Sequence, residues 1–211
     1  MVQNTKQSAD LSSVEFKIFT EQEKQSLFEN AIDIVYEAGK ITNSYFKQNL
    51  IIENKAENSF NPVTIADKSA EKKIREMIEK LYPNDSIVGE EYGKKIGSTD
   101  FTWIIDPIDG TVNFLHGVPH FAISIALKSD NEIISGLIFD PIKNEIFYAE
   151  KDSGAFFNNQ RIRVSKKDEI NDCLFVTGGK FKTEPDISYR KSGCAALDMA
   201  YVASGRYDGY F

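Results

Sequence analysis

A change of hydrophobic period near Pro83 divides the chain and limits what it can fold into. Before it, apolar residues return every three or four positions: Leu27, Ala31, Ile34, Val35, Ala38, Ile41 and Tyr45, then Ala70, Ile74, Ile78 and Leu81. That spacing lays one apolar stripe along each of two helices, the first from Thr20 to about Phe46, the second ended by Pro83. Thr20-Glu-Gln-Glu23 has the form in which a threonine hydroxyl and a glutamate three residues on satisfy orphaned amides at a helix start. Leu50-Ile-Ile52 reads as a short strand, and Asn61-Pro62 marks a break. After Pro83 the runs become short, β-branched and aromatic: Ile87-Val88, Trp103 to Ile105, Phe121 to Leu127, Ile133 to Phe139, Glu145 to Ala149, Arg161 to Val164 and Leu174 to Thr177. Turn chemistry separates them, as in Ser129-Asp-Asn131 and Asp140-Pro141, so they predict a mostly antiparallel sheet with the two helices covering one face. Helix returns over Cys194 to Ser204, stopped by Gly205, and Arg206 to Phe211 reads as the start of a strand.

Composition closes off several classes. The 211 residues carry 25 Lys plus Arg against 32 Asp plus Glu, a net charge of −7. An acidic chain lacks the basic stripe of a nucleic-acid-coating protein, so no direct nucleic-acid binding is expected. Hydrophobic residues make up 41% and aromatic ones 12%, enough for one packed domain or two halves sharing a core. The best apolar run, Phe121 to Leu127, falls far short of the ~18 residues that cross a membrane. The first twenty residues carry no secretory pattern, and Cys173 and Cys194 cannot supply a disulfide framework. A cytoplasmic protein with a mobile polar leader over residues 1–19 is expected.

Four pieces carry the chemistry: Asn61-Pro-Val-Thr64-Ile-Ala-Asp67, Gly89-Glu90-Glu91, Asp106-Pro-Ile-Asp109-Gly110-Thr111, and Gly193-Cys194-Ala195-Ala196. The first three place carboxylates at the ends of apolar segments, where they repel one another unless a cation sits among them. Oxygen ligands of this kind select Mg2+ or Mn2+ rather than zinc. The proline stiffens the Asp106 turn, so that both carboxylates and the Ile108 carbonyl can face one point, while Gly110 and Thr111 open a helical turn whose amides favour a phosphate. Taken singly, each piece has a plainer reading as a turn, a solvated face or a helix-start charge; their coincidence favours a site. His116 and His120 read as loop or packing residues, and Cys194 as a small buried residue rather than a nucleophile.

Trp103-Ile-Ile-Asp-Pro-Ile-Asp-Gly-Thr-Val-Asn-Phe-Leu-His116 resembles the first signature of the inositol monophosphatase family. Ile87-Val-Gly-Glu-Glu91 is similar to that family's upstream metal motif, and Gly193 to Phe211 to its substrate-binding helix and following strand. The resemblance implies the layered αβαβα sandwich of the sugar phosphatases, usually a homodimer, hydrolysing a small phosphorylated polyol with two or three Mg2+ per site. By it, Glu90, Asp106, the Ile108 carbonyl and Asp109 would hold the metal, with Glu90 also serving catalysis. Asp67 and Thr111 would activate water, Gly110 and Thr111 would hold phosphate, and Gly193, Cys194 and Ala195 would line the alcohol side. The N-terminal helices and large sheet would span residues 20–172, and residues 173–211 would begin a C-terminal α/β half.

The family's second signature, a Trp-Asp motif, and a glutamate that would follow Phe211 are absent from this chain. The expectation is therefore a C-terminally truncated member with an incomplete second sheet, one metal carboxylate short, and weak or inactive alone. Related branches, histidinol-phosphate and 3′,5′-bisphosphonucleotide phosphatases, share parts of the wording. A non-catalytic member acting through partners in transcription is the reading from another class.

Overall fold

In the computed structural model the described residues are 21–54, 62–179 and 187–211. The leader, the Thr20 capping arrangement and Asn61 lie outside them. The two periodic stretches form α1 (Glu21–Tyr45) and α2 (Ile65–Leu81). Ala70, Ile74 and Ile78 are buried as the stripe requires, whereas Leu81, in the last turn, is exposed. Between the helices β1 (Ile52–Asn54) pairs antiparallel with β2 (Pro62–Thr64), so strand begins two residues later than the apolar run suggested and the Pro62 break is a strand start.

The second half builds a sheet of eight strands: β3 (Ser86–Gly89), β4 (Gly93–Lys95), β5 (Phe101–Asp109), β6 (Ala122–Ser129), β7 (Glu132–Asp140), β8 (Glu145–Glu150), β9 (Gly154–Phe157) and β10 (Gln160–Arg161). Their order is β10-β9-β8-β7-β6-β5-β3-β4, antiparallel throughout except for the parallel pair β3 and β5. Alternation sorts the side chains between two faces. Trp103, Ile105, Ile123, Ile125, Leu127, Leu137 and Phe139 point to one face and pack with Ile34, Val35, Ile74 and Ile78 of the helix pair. Ala122 and Phe147 point to the other and pack with Leu197, Ala200 and Tyr201 of a later helix. A meander continues β-branched and aromatic alternation because each turn is made by residues that accept positive φ, such as Asp130, Asn144 and Asp152.

A short α3 (Thr111–Leu115) follows β5, and α4 (Ala195–Ala203) lies on the second sheet face. Beyond α4 stands a three-stranded parallel sheet, ordered β12-β11-β13, from β11 (Leu174–Val176), β12 (Ser188–Arg190) and β13 (Gly209–Tyr210). Gly205 ends α4 at φ +73, a conformation that glycine adopts without strain. Of the expected strand Arg161 to Val164, Arg161 pairs with Phe156 and the Ile162 N–H donates to the Ala155 carbonyl, after which the strand ends, and Val164 is exposed.

Candidate active site

Sheet register brings the first two acidic pieces together. In the parallel pair, Gly89 of β3 sits opposite Ile105 of β5, so the next residues along each strand, Glu90 and Asp106, emerge side by side at the strands' carboxyl ends. Open α/β sheets bind ligands at such ends. Opposite β6, Asp106 aligns with Ser124 but Asp109 with Ala122, an extra residue that makes a bulge. The bulge absorbs Pro107, which has no amide to pair, and turns Ile108 into a separate core cluster with Ala66, Phe114 and Phe121.

The carboxyls differ in what holds them. Asp106 accepts the Ile108 N–H at 3.1 Å and shares a hydrogen bond with Glu90. Burial first, then the negative charges of Glu90 and Asp109, push the Asp106 carboxyl up to about 8. Asp109 turns instead toward α4: its Oδ2 accepts the Ala196 N–H at 2.5 Å and the Cys194 thiol at 3.3 Å. Burial raises its carboxyl, and these two donors oppose that rise.

Asp67 is nearly fully buried in the first turn of α2. Its Oδ2 accepts the Thr64 N–H at 2.8 Å and the Thr64 hydroxyl at 2.6 Å, while Thr64 Oγ1 accepts the Ala66 N–H, a reciprocal cap. Oδ1 lies 3.4 Å from the Thr111 hydroxyl, which is also 3.0 Å from the Ile108 carbonyl; its single proton serves one of the two at a time.

The Gly193 piece abuts the Asp106 piece. Gly110 has φ +93, and a Cβ there would come within 3.2 Å of Cys194 Cβ, the Gly193 carbonyl and the His120 carbonyl. Asn113 Nδ2 donates to the Ser192 carbonyl at 2.8 Å and the His120 carbonyl at 2.7 Å, pinning the turn before α4. Cys194 is buried, and burial with the Asp109 carboxylate pushes its thiol far above the ordinary range, which leaves it neutral. Among the described residues, His120 Nε2 is buried without a hydrogen-bond partner, 3.6 Å from Asp198 Oδ1, and the ring meets Tyr201 edge-on. Asn113 and the buried Asp198, whose Oδ1 accepts from Ser192 at 2.5 Å, escape sequence reasoning; the one signal is an aspartate inside the apolar Ala196–Ala200 run.

All these donors are oxygens, and the pressed-together Glu90 and Asp106 suit a hard divalent cation. Among the described residues, however, no three His, Cys, Asp or Glu side chains are grouped closely enough to hold one in this arrangement. One oxygen of Asp109, Oδ2, is engaged by the start of α4, while the charges of Asp109, Glu90 and Asp106 still act on one another. Nor, among the described residues, is any helix long and apolar enough to cross a membrane.

A mixed sheet between two helical layers, with carboxylates gathered where β3 and β5 end beside two helix starts, defines a layered α/β protein of the sugar-phosphatase type. The inositol monophosphatase family model matches residues 23–211, and the chain belongs to that family. It is 40% identical over 197 residues to the Nus factor SuhB of Haemophilus influenzae, covering 86% of this chain and 74% of that protein. To the inositol-1-monophosphatase of Rhizobium meliloti it is 39% identical over 207 residues, covering 89% and 77%. Among solved structures, the extragenic suppressor protein suhB of Bartonella henselae superposes with a TM-score of 0.80 at 37% identity over 88% of this chain and 77% of that one. The Thermotoga maritima IMPase gives 0.80 at 35% identity over 86% and 74%.

Proposed function

We propose that the chain is a Mg2+-dependent phosphate monoester hydrolase acting on a small phosphorylated polyol such as an inositol monophosphate. The observation that carries this reading is the meeting of Glu90 and Asp106 at the strand ends, beside Asp109 and an Asp67–Thr111 pair drawn from the starts of α2 and α3. Glu90, Asp106, the Ile108 carbonyl and Asp109 would hold the metal; Mn2+ suits the same oxygen set. When bound, the metal supplies an acidified water and offsets charge on the phosphoryl oxygens. Asp67, locked by its two bonds from Thr64, keeps Oδ1 turned to the Thr111 hydroxyl, an arrangement that orients a water and accepts its proton. The main chain at Gly110 and Thr111 would face the phosphate, and Gly193 to Ala195, held against Gly110 by Asn113, would line the alcohol side. Asp106 must give up its proton before it can bind a cation, so activity is expected to rise with pH.

The reading is tested by phosphate release from inositol 1-phosphate, histidinol phosphate and a 3′,5′-bisphosphonucleotide, with Mg2+ and with chelator. Release that needs Mg2+ and favours the polyol phosphate is expected; no metal-dependent release from any of the three overturns it. A second reading, a partner-binding protein without turnover, is supported by the 40% identity to a protein named Nus factor SuhB. It predicts partner binding that survives Asp106→Asn, with no hydrolysis by the parent chain.

A further inference from the structure

α2 carries a second acidic residue, Glu71, one turn beyond Asp67 on the stripe formed by Ala70, Ile74 and Ile78, and it is 0% exposed. A buried carboxylate is costly unless every oxygen is partnered. Here each partner but one belongs to a single loop. Oε2 accepts the Glu91 N–H at 2.6 Å, and Oε1 accepts the Tyr92 N–H at 3.2 Å. Oε1 also accepts Arg75 Nε at 2.7 Å. Arg75 in turn donates to the Gly93 carbonyl, and its guanidinium lies 6.0 Å from the Tyr92 ring centroid. Two side chains one helical turn apart thus grip three consecutive residues of the β3–β4 turn. From the other side, the Gly89 backbone comes so close that a Cβ would fall 1.9 Å from Glu71 Oε1. Glu90 lies between these two points of attachment.

We propose that Glu71, supported by Arg75, is the positioning residue for Glu90: it fixes the backbone on both sides so that the Glu90 carboxylate meets Asp106. The inference rests on the metal-dependent reading of that site given above. It makes α2 a rigid ruler, with Asp67 in its first turn touching Thr111 and Glu71 one turn later setting the Glu90 loop. The distance between the two halves of the site is then fixed by helix geometry rather than by a loop.

Glu71→Gln retains the shape but presents an NH2 where an acceptor is required, so one loop amide loses its partner. Mn2+ binding by calorimetry, amide resonances of Glu91 and Tyr92, and thermal unfolding are measured on the full chain. The expected result is Mn2+ affinity lowered roughly 10–100-fold, with the Glu91 and Tyr92 amides shifted, the Trp103 indole unmoved and the fold retained. Arg75→Met, which removes the Gly93 attachment, should act in the same direction and carries the test if Glu71→Gln unfolds. Wild-type binding with unaltered affinity in the folded variants overturns this inference alone. Absence of Mn2+ binding by the wild type overturns the metal reading and this inference with it.

Discussion

The backbone N–H of Ala196 meets Asp109 Oδ2 at 2.5 Å across 87 residues of sequence. That bond ties the start of α4 to the bulge that ends β5. Asp109→Ala leaves the Ala196 amide and Cys194 thiol without an acceptor, a loss of roughly 1–3 kcal/mol. For a chain of this size each kcal/mol lowers Tm by about 2–4 °C. Asp109→Asn keeps an acceptor for Ala196 and removes a charge that Asp106 feels, so its Tm should stay near that of the parent. Both variants should lose Mg2+-dependent phosphate release. Equal Tm values for the Ala and Asn variants would count against the tie.

Asp106 gives a pH dependence whose sign follows from its environment. Its carboxyl is held up to about 8 in the folded chain against 3.8 as the ordinary value. Between those values the folded state keeps a proton that the unfolded state has lost. The metal-free chain therefore loses stability as pH rises from about 4 toward 8. A cation that relieves the crowding should raise Tm more near pH 8 than near pH 5, read by thermal unfolding with and without Mg2+. Asp106→Asn should flatten the metal-free profile and abolish the Mg2+ shift. A Mg2+ shift that is the same at both pH values would refute this account.

Cys194 offers a negative control. Its buried thiol is kept neutral by its surroundings and hydrogen-bonds to Asp109, the opposite of an activated nucleophile. Alkylating reagents should leave the folded chain unmodified at this position. Inactivation that tracks alkylation of Cys194, followed by mass spectrometry, would reverse that assignment.

Gly110 is constrained twice, by φ +93 and by three atoms 3.2 Å from any Cβ. Gly110→Ala should cost roughly 1–2 kcal/mol for the left-handed conformation. It should also push the Gly193–Cys194 turn away and raise KM for substrate more than it lowers kcat. A variant with parent KM would separate the two turns functionally.

Much of the fold was legible because burial follows period. α1, α2 and α4, and the strands from β5 to β8, coincide with apolar stripes or alternations long enough to leave one reading. The misses have local causes. Gly93-Lys-Lys95 and Ser188-Tyr-Arg190 form β4 and β12 without an apolar pattern, since they are held by main-chain pairing with β3 and β11. Gly154–Phe157 was hidden by the turn residues that precede it, yet it pairs fully with β8. The β5 strand runs through Asp106-Pro-Ile-Asp109, which reads as a turn, because a bulge accommodates the proline.

For the site, the residue types and their clustering at the ends of apolar segments were determined by the sequence alone, as was the family. Local signals also marked the ends of two helices, Pro83 after α2 and Gly205 after α4, because chain reversal acts within a few positions. Only the tertiary structure decided what each carboxylate faces: Asp106 toward Glu90, Asp109 toward Ala196, Asp67 toward Thr111, Glu71 toward the Glu91 and Tyr92 amides. Those pairings depend on parallel register between β3 and β5, on one extra residue in a bulge, and on how α2 and α4 dock against the sheet. Such long-range geometry arises from packing the whole core, and no local pattern in the chain encodes it.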